Sequence, residues 1–323
     1  MSAPNHPQRL RAIFMLLLAN VYWGISFPII KALTSLTQAL VPEAGTWFLA
    51  AGALAPRFLL ATVVLLVFQR WRRPTALEYK QGLIIALFAS GGSLLQTDAL
   101  QFTAASTSAF LTQLTAILIP TVVAIRYWRN PGVVIWAACV LVLVGVALLS
   151  HVSFSNLRLR RGEWETMLCS VFFTGQILWL GRSEFAGNRP EVVTLLMFAA
   201  EAAVFLGLAG LAAPRWGALL APWQSVPWVG LSLVLAVVCT IGAFGIMVKW
   251  QPLITSTEAG LIYCVEPVFA SIFALFLPGL ISLWAGLNYL NETATWALIV
   301  GGGLVTVANV LIQFDAVKAE KVA

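Results

Sequence analysis

Three charged side chains, Arg57, Glu201 and Glu266, fall in the middle of otherwise apolar segments. A charge at the centre of a bilayer costs at least ~2.5–3.5 kcal/mol on insertion scales, so each needs a partner, a protein wall or water. Glu266 has the richest setting. It stands in "IYCVEPVFASIFALF" (Ile262–Phe276), with Tyr263 one helical turn before it and Phe269 and Ala270 one turn after. Pro267 follows it, cannot donate to the preceding turn, and can kink the helix so that a carbonyl faces solute or water. A carboxyl placed there suits solute binding and proton exchange, which makes Glu266 the coupling candidate. The other reading is a Glu that pins helix packing beside the kink. Arg57 lies ~12 residues, or about 18 Å, from either end of its segment, too far to reach the interface. It reads as one half of a structural charge pair, with Glu201 as the named partner and Glu266 or helix carbonyls as alternatives.

Uncharged polar residues accompany these charges. Asn20 and Trp23 share a helix face, with Gly24 beside them. Gln96 lies in the third apolar run. Ser108, Thr112 and Thr115 form a stripe in the fourth, with Gln113 adjacent, and Gln176 and Trp179 share a face of the sixth. Such residues also hold membrane helices together. As a set with Tyr263 and Glu266 they predict a lining of amides, hydroxyls and rings for a modest-sized amphipathic or zwitterionic solute. Basic residues at depth are too few for a polyanion. Most of the 13 tryptophans, among them Trp47, Trp71, Trp128, Trp216, Trp223, Trp228 and Trp250, flank segment ends as interfacial anchors should. Trp23 and Trp179 are left as ligand contacts.

The elements that must position these residues are membrane helices. The chain has 323 residues, of which 60% are hydrophobic and 10% charged, against about 25% charged in a soluble domain. Apolar runs of roughly 20 residues recur, at about 11–32, 46–69, 81–102, 104–126, 132–150, 162–182, 191–212, 227–249, 255–277 and 293–314. They do not alternate as barrel strands would. The net charge of +6 sits mainly in one set of loops (Arg70, Arg72, Arg73, Lys80, Arg126, Arg129, Arg182, Arg189, Lys249) and in the two tails. This places both termini in the cytoplasm and argues against nucleic acid as a partner. Arg158, Arg160 and Arg161 run against the rule, as they fall outside. Asp98 and Lys249 lie near segment ends and read as solvated at the interface. The first apolar run reads as a retained helix, since no small-residue cleavage site follows it. Cys139, Cys169, Cys239 and Cys264 lack metal or disulfide spacing and read as packing residues.

The chain repeats itself. At a shift of 150, Ser106-Thr107-x-Ala109-x-Leu111 falls on Ser256-Thr257-x-Ala259-x-Leu261, Gln101 on Gln251 and Gly92 on Gly242. Trp136 matches Trp296 at a shift of 160, so the second half has gained about ten residues near 278–291. Five helices per repeat is odd, so the second repeat enters from the opposite side. The fold class is an all-α integral membrane protein of ten transmembrane helices in two inverted five-helix repeats. That is a plan common among secondary transporters, which hold solute near the midplane. The expected divisions are a tail at 1–10, a first repeat at 11–150, a second at 151–314 and a tail at 315–323.

"NVYWGISF" (Asn20–Phe27), "PRFLLA" (Pro56–Ala61), "DALQFTAASTSAFLTQLTAILIP" (Asp98–Pro120) and "EPVFASIFALFL" (Glu266–Leu277) resemble the EamA type of the drug/metabolite transporter superfamily. The resemblance implies ten helices, termini inside, and carrier-type transport, often export, of amino acids or other small metabolites. The family usually continues from the Glu-Pro helix into a Gly-Glu turn; here the insertion intervenes, and Asn291-Glu292 looks like the displaced turn. The expected function is export of amino acids or related amphipathic solutes, driven by a proton gradient or exchange, in a bacterial inner membrane. No cofactor, metal or catalytic residue is expected, and a homodimer is compatible. A polytopic membrane enzyme or a channel or receptor are the rivals. The chain has no H-E-x-x-H, nucleophile elbow or Walker A loop.

Overall fold

The computed structural model describes residues 6–69, 73–126, 132–149, 159–254 and 256–311. Expectations for the extreme tails and for Arg70, Arg72, Arg129 and Arg158 lie outside the described residues. All regular structure within them is helical. The chain runs through α1 (His6–Leu40), α2 (Thr46–Phe68), α3 (Ala76–Ala99), α4 (Ala105–Thr112), α5 (Thr115–Arg126), α6 (Gly132–Leu149), α7 (Arg161–Leu180) and α8 (Pro190–Ala212). It continues through α9 (Val226–Val234), α10 (Ala243–Trp250), α11 (Ser256–Tyr263), α12 (Glu266–Ala274), α13 (Leu277–Ala285) and α14 (Ala297–Leu311). Between α9 and α10 the backbone winds as a π-helix over Leu235–Gly242.

Among the described residues, five helices are long and apolar enough to cross a bilayer: Pro7–Leu40, Thr46–Phe68, Ala76–Ala99, Pro190–Ala212 and Val226–Leu253. The pair α12–α13 counts as a sixth if its 48° bend lies within one span. Two of the expected continuous spans are broken instead. The fourth divides into α4 and α5 after eight residues, and the ninth divides into α11 and α12 after eight residues. The first helix runs on to Leu40, past the end of the first apolar run. The insertion forms α13, nine residues long and too short to cross a bilayer. Gly286, at φ 66°, ends it in the left-handed conformation that glycine adopts without strain.

α1 is the axis of the bundle, packing on α2, α4, α10, α11 and α12. Its closest approach is to α12 at Gly24, where a Cβ would come within 2.8 Å of Phe269 Cβ and 2.9 Å of the Ala270 nitrogen. A small residue lets two membrane helices meet backbone to backbone. Two clusters of buried side chains fill the interior. One holds Phe58, Phe198, Phe205 and Phe244 and the other Phe27, Leu33, Trp228 and Ala270. Trp228 is therefore no interfacial anchor: it is buried, and its indole donates to Thr37 Oγ1 at 3.0 Å.

α3 is pinned at both ends. At its start Thr75 and Glu78 form a capping box, and the Glu78 carboxylate takes two parallel bonds from Arg189, each 2.7 Å. At its end Asp98, fully buried, pairs with Arg161 at 2.6 Å. The expectation of an Asp98 solvated at the interface is corrected here: α7 begins beside it and supplies a guanidinium. Arg161 also lies 4.5 Å from the Phe102 ring centroid. On the loops, Arg215 donates to Glu43 at 2.6 Å and holds that carboxyl below its ordinary range.

Candidate functional site

The Glu-Pro pair answers to a helix start. α11 ends at Tyr263 and α12 begins at Glu266, with Pro267 in its first turn, where no intrahelical donor is required. Pro267 cannot bond the Tyr263 carbonyl, so the break leaves that acceptor without its helical donor. The break opens onto a cavity of about 80 Å³. Its wall comes from α1 (Trp23, Ser26), α2 (Arg57), α3 (Ser93, Gln96), the α4–α5 break (Thr112, Gln113, Thr115), α7 (Phe173, Gln176, Ile177), α10 (Phe244, Met247) and the α11–α12 break (Tyr263, Glu266). Both helix breaks thus meet at one place. A volume of this size holds a few water molecules and is smaller than the ~150 Å³ that takes a benzene ring.

Of the residues singled out by the sequence, Trp23, Gln96, Thr112, Gln113, Gln176, Tyr263 and Glu266 come together around this cavity. Glu266 is half-buried, whereas Tyr263 is buried. Trp23 packs edge-on against Tyr263 and Phe244, with centroids 5.6 and 5.3 Å away. Tyr263 donates to Gln251 Oε1 at 2.8 Å, and Gln96 donates to Thr112 Oγ1 at 3.1 Å. Three buried polar atoms of the wall, Trp23 Nε1, Gln113 Oε1 and Gln176 Nε2, have no hydrogen-bond partner among the described residues. Such atoms are costly to bury unsatisfied.

Two named residues lie elsewhere. Asn20 is fully buried, and its amide donates to the carbonyls of Leu16 at 2.8 Å and Ile262 at 3.3 Å, tying α1 to α11 behind the cavity. Trp179 sits at the end of α7, with Arg182 4.6 Å and Lys80 5.7 Å from its ring and Phe185 packed on it.

Of the partners the sequence offered Arg57, a helix carbonyl is the one it meets. Arg57 lines the cavity, and it makes no ion pair with Glu201 within 4.0 Å. Its Nε donates to Thr240 Oγ1 at 2.5 Å and its Nη2 to the Cys239 carbonyl at 3.1 Å. Both acceptors belong to the π-wound stretch, where Thr240 in turn donates to the Leu235 carbonyl five residues back. The looser winding turns these groups towards α2. The rings of Phe58 and Phe244 lie 5.3 and 5.8 Å from the guanidinium carbon. Glu201 is fully buried on α8, and neither carboxyl oxygen has a hydrogen-bond partner among the described residues. No group of His, Cys, Asp and Glu among the described residues could hold a metal ion.

Comparison with known proteins agrees with the resemblance drawn from the sequence. Residues 10–151 match the EamA-like transporter family. An uncharacterized transporter of Archaeoglobus fulgidus is 25% identical over 271 residues, covering 83% of this chain and 78% of that protein. A solved crystal structure of a protein 16% identical in sequence superposes over 96% of this chain and 99% of its own, with a TM-score of 0.57, so the two share a fold.

Proposed function

Residues 10–151 match the EamA-like transporter family, and from that premise we propose that this multi-pass membrane protein carries small amphipathic solutes through the cavity at its two helix breaks. The solutes are amino acids or related metabolites, the direction is export, and the driving force is a proton gradient or exchange. The ten-helix plan belongs to this reading: two inverted five-helix repeats, 11–150 and 151–314, with both termini in the cytoplasm of a bacterial cell. So does carrier action in place of enzymatic chemistry. The observation that carries it is the convergence of α4–α5 and α11–α12 on a wall that mixes rings, amides, a carboxyl and a guanidinium. Such a wall fits a small solute with a polar head and an apolar body. The volume is too small for such a solute at rest, so entry and exit require the two halves to rock, as inverted repeats do.

Glu266 is the proton-carrying residue in this reading. It heads a helix, borders the cavity, and has the freed Tyr263 carbonyl beside it. The test uses protein reconstituted in liposomes with a panel of labelled L-amino acids and an imposed pH gradient. Glu266→Gln keeps size and hydrogen bonding but cannot titrate. We expect it to keep its fold and its solute-induced thermal stabilisation while losing gradient-driven accumulation. Transport by this variant with the wild-type pH dependence would instead assign the Glu-Pro pair to helix packing.

A further inference from the structure

Arg57 presents a problem of charge. It is buried in the middle of α2, and every contact it makes is with a neutral group: a hydroxyl, a carbonyl and two rings. Those contacts engage two of the five N–H donors that a guanidinium carries. They fix its Nε and Nη2 edge against the π-wound stretch Leu235–Gly242, while the residue itself forms part of the cavity wall. Glu201 is not part of that wall and stands beyond ion-pair distance.

We propose that Arg57 is the anion receptor of the cavity, selecting solutes that carry a carboxylate. This rests on the reading of the cavity as the solute site. The anchoring by Thr240 and Cys239 fixes the plane of the guanidinium, so its spare donors meet a planar carboxylate without losing side-chain freedom on binding.

A receptor for carboxylates predicts a loss confined to the probes that carry one. The probes are L-phenylalanine, 3-phenylpropionate and 2-phenylethylamine, which share a ring suited to Trp23, Phe173 and Phe244 and differ in charged groups. Their affinities are read from ligand-dependent unfolding temperatures of the purified protein. Arg57→Gln should weaken both carboxylate probes by about tenfold to a hundredfold, the range of a charged hydrogen bond, and leave the amine unchanged. Equal loss of all three probes in Arg57→Gln, or unaltered preference for carboxylates, overturns the receptor role while the solute reading stands. Should Arg57→Gln fail to fold, Arg57→Lys decides, since it keeps the charge and loses the planar fork: weaker binding of the two carboxylates with the amine unchanged is expected, and equal loss of all three overturns the proposal. If the wild type binds none of the three, the solute reading and the proposal that rests on it both fall.

Discussion

Thr240→Val tests the anchoring of Arg57 most directly. The side chains are nearly isosteric, so the change removes a hydroxyl and little else. Thr240 is fully buried and Arg57 is 4% exposed, so no water replaces the lost acceptor. The Arg57 Nε–H loses its partner, and the Leu235 carbonyl loses the bond that Thr240 donates across the π-wound turn. A hydrogen bond to a charged group contributes about 1.5–3 kcal/mol, and a buried donor left unpaired costs a similar amount. Some of this is recovered if the π stretch relaxes towards α-helical winding, so a net loss of about 2 kcal/mol is expected. For a chain of this length that lowers the unfolding temperature by about 3 °C. Tryptophan fluorescence of the detergent-purified protein during heating measures it. Thr240→Ser keeps the hydroxyl and serves as the control, losing about 1 kcal/mol or less for one methyl group. Combination with Arg57→Met closes a double-mutant cycle, in which the two effects should fall well short of additive. Unfolding of Thr240→Val within 1 °C of wild type, or full additivity with Arg57→Met, would refute the view that this bond fixes the guanidinium.

Two further outcomes follow from the packing. Asp98→Asn removes the buried half of the Asp98–Arg161 pair; because the Arg161 side chain is 44% exposed and can be resolvated, the loss should be only about 1 kcal/mol, and thermal unfolding that is lowered by 5 °C or more would show that the pair is far better shielded. Gly24→Leu places a branched side chain where a Cβ alone would meet Phe269 at 2.8 Å, so α12 must move away from α1 and carry Glu266 with it; transport in liposomes should fall at least tenfold while membrane insertion persists, and normal transport would show that this contact does not set the cavity.

The sequence by itself determined what depends on each residue's own transfer from water to hydrocarbon. Long apolar runs, their basic flanks and the cost of Arg57, Glu201 and Glu266 at depth are all additive along the chain, so no partner need be known. The Glu-Pro pair also announced its break, because a missing N–H is a property of proline itself. Only the tertiary structure decided the rest. Pro28 and Pro56 lie inside unbroken helices, whereas the break between α4 and α5 has no proline at all. Packing against neighbouring helices selects where membrane helices bend. Asp98 reads as an interfacial charge until α7 brings Arg161 to it. Arg57 reads as the mate of Glu201, of Glu266 or of helix carbonyls, and a π-wound turn more than 180 residues away supplies a carbonyl and a hydroxyl. In soluble helices an apolar stripe tells which face is buried. A membrane helix is apolar on every side, so nothing local says which polar residue faces lipid, a neighbour or the cavity. Trp23 and Gln176 became cavity wall, and Asn20 and Trp179 did not, because of where α7, α10 and α12 close around α1.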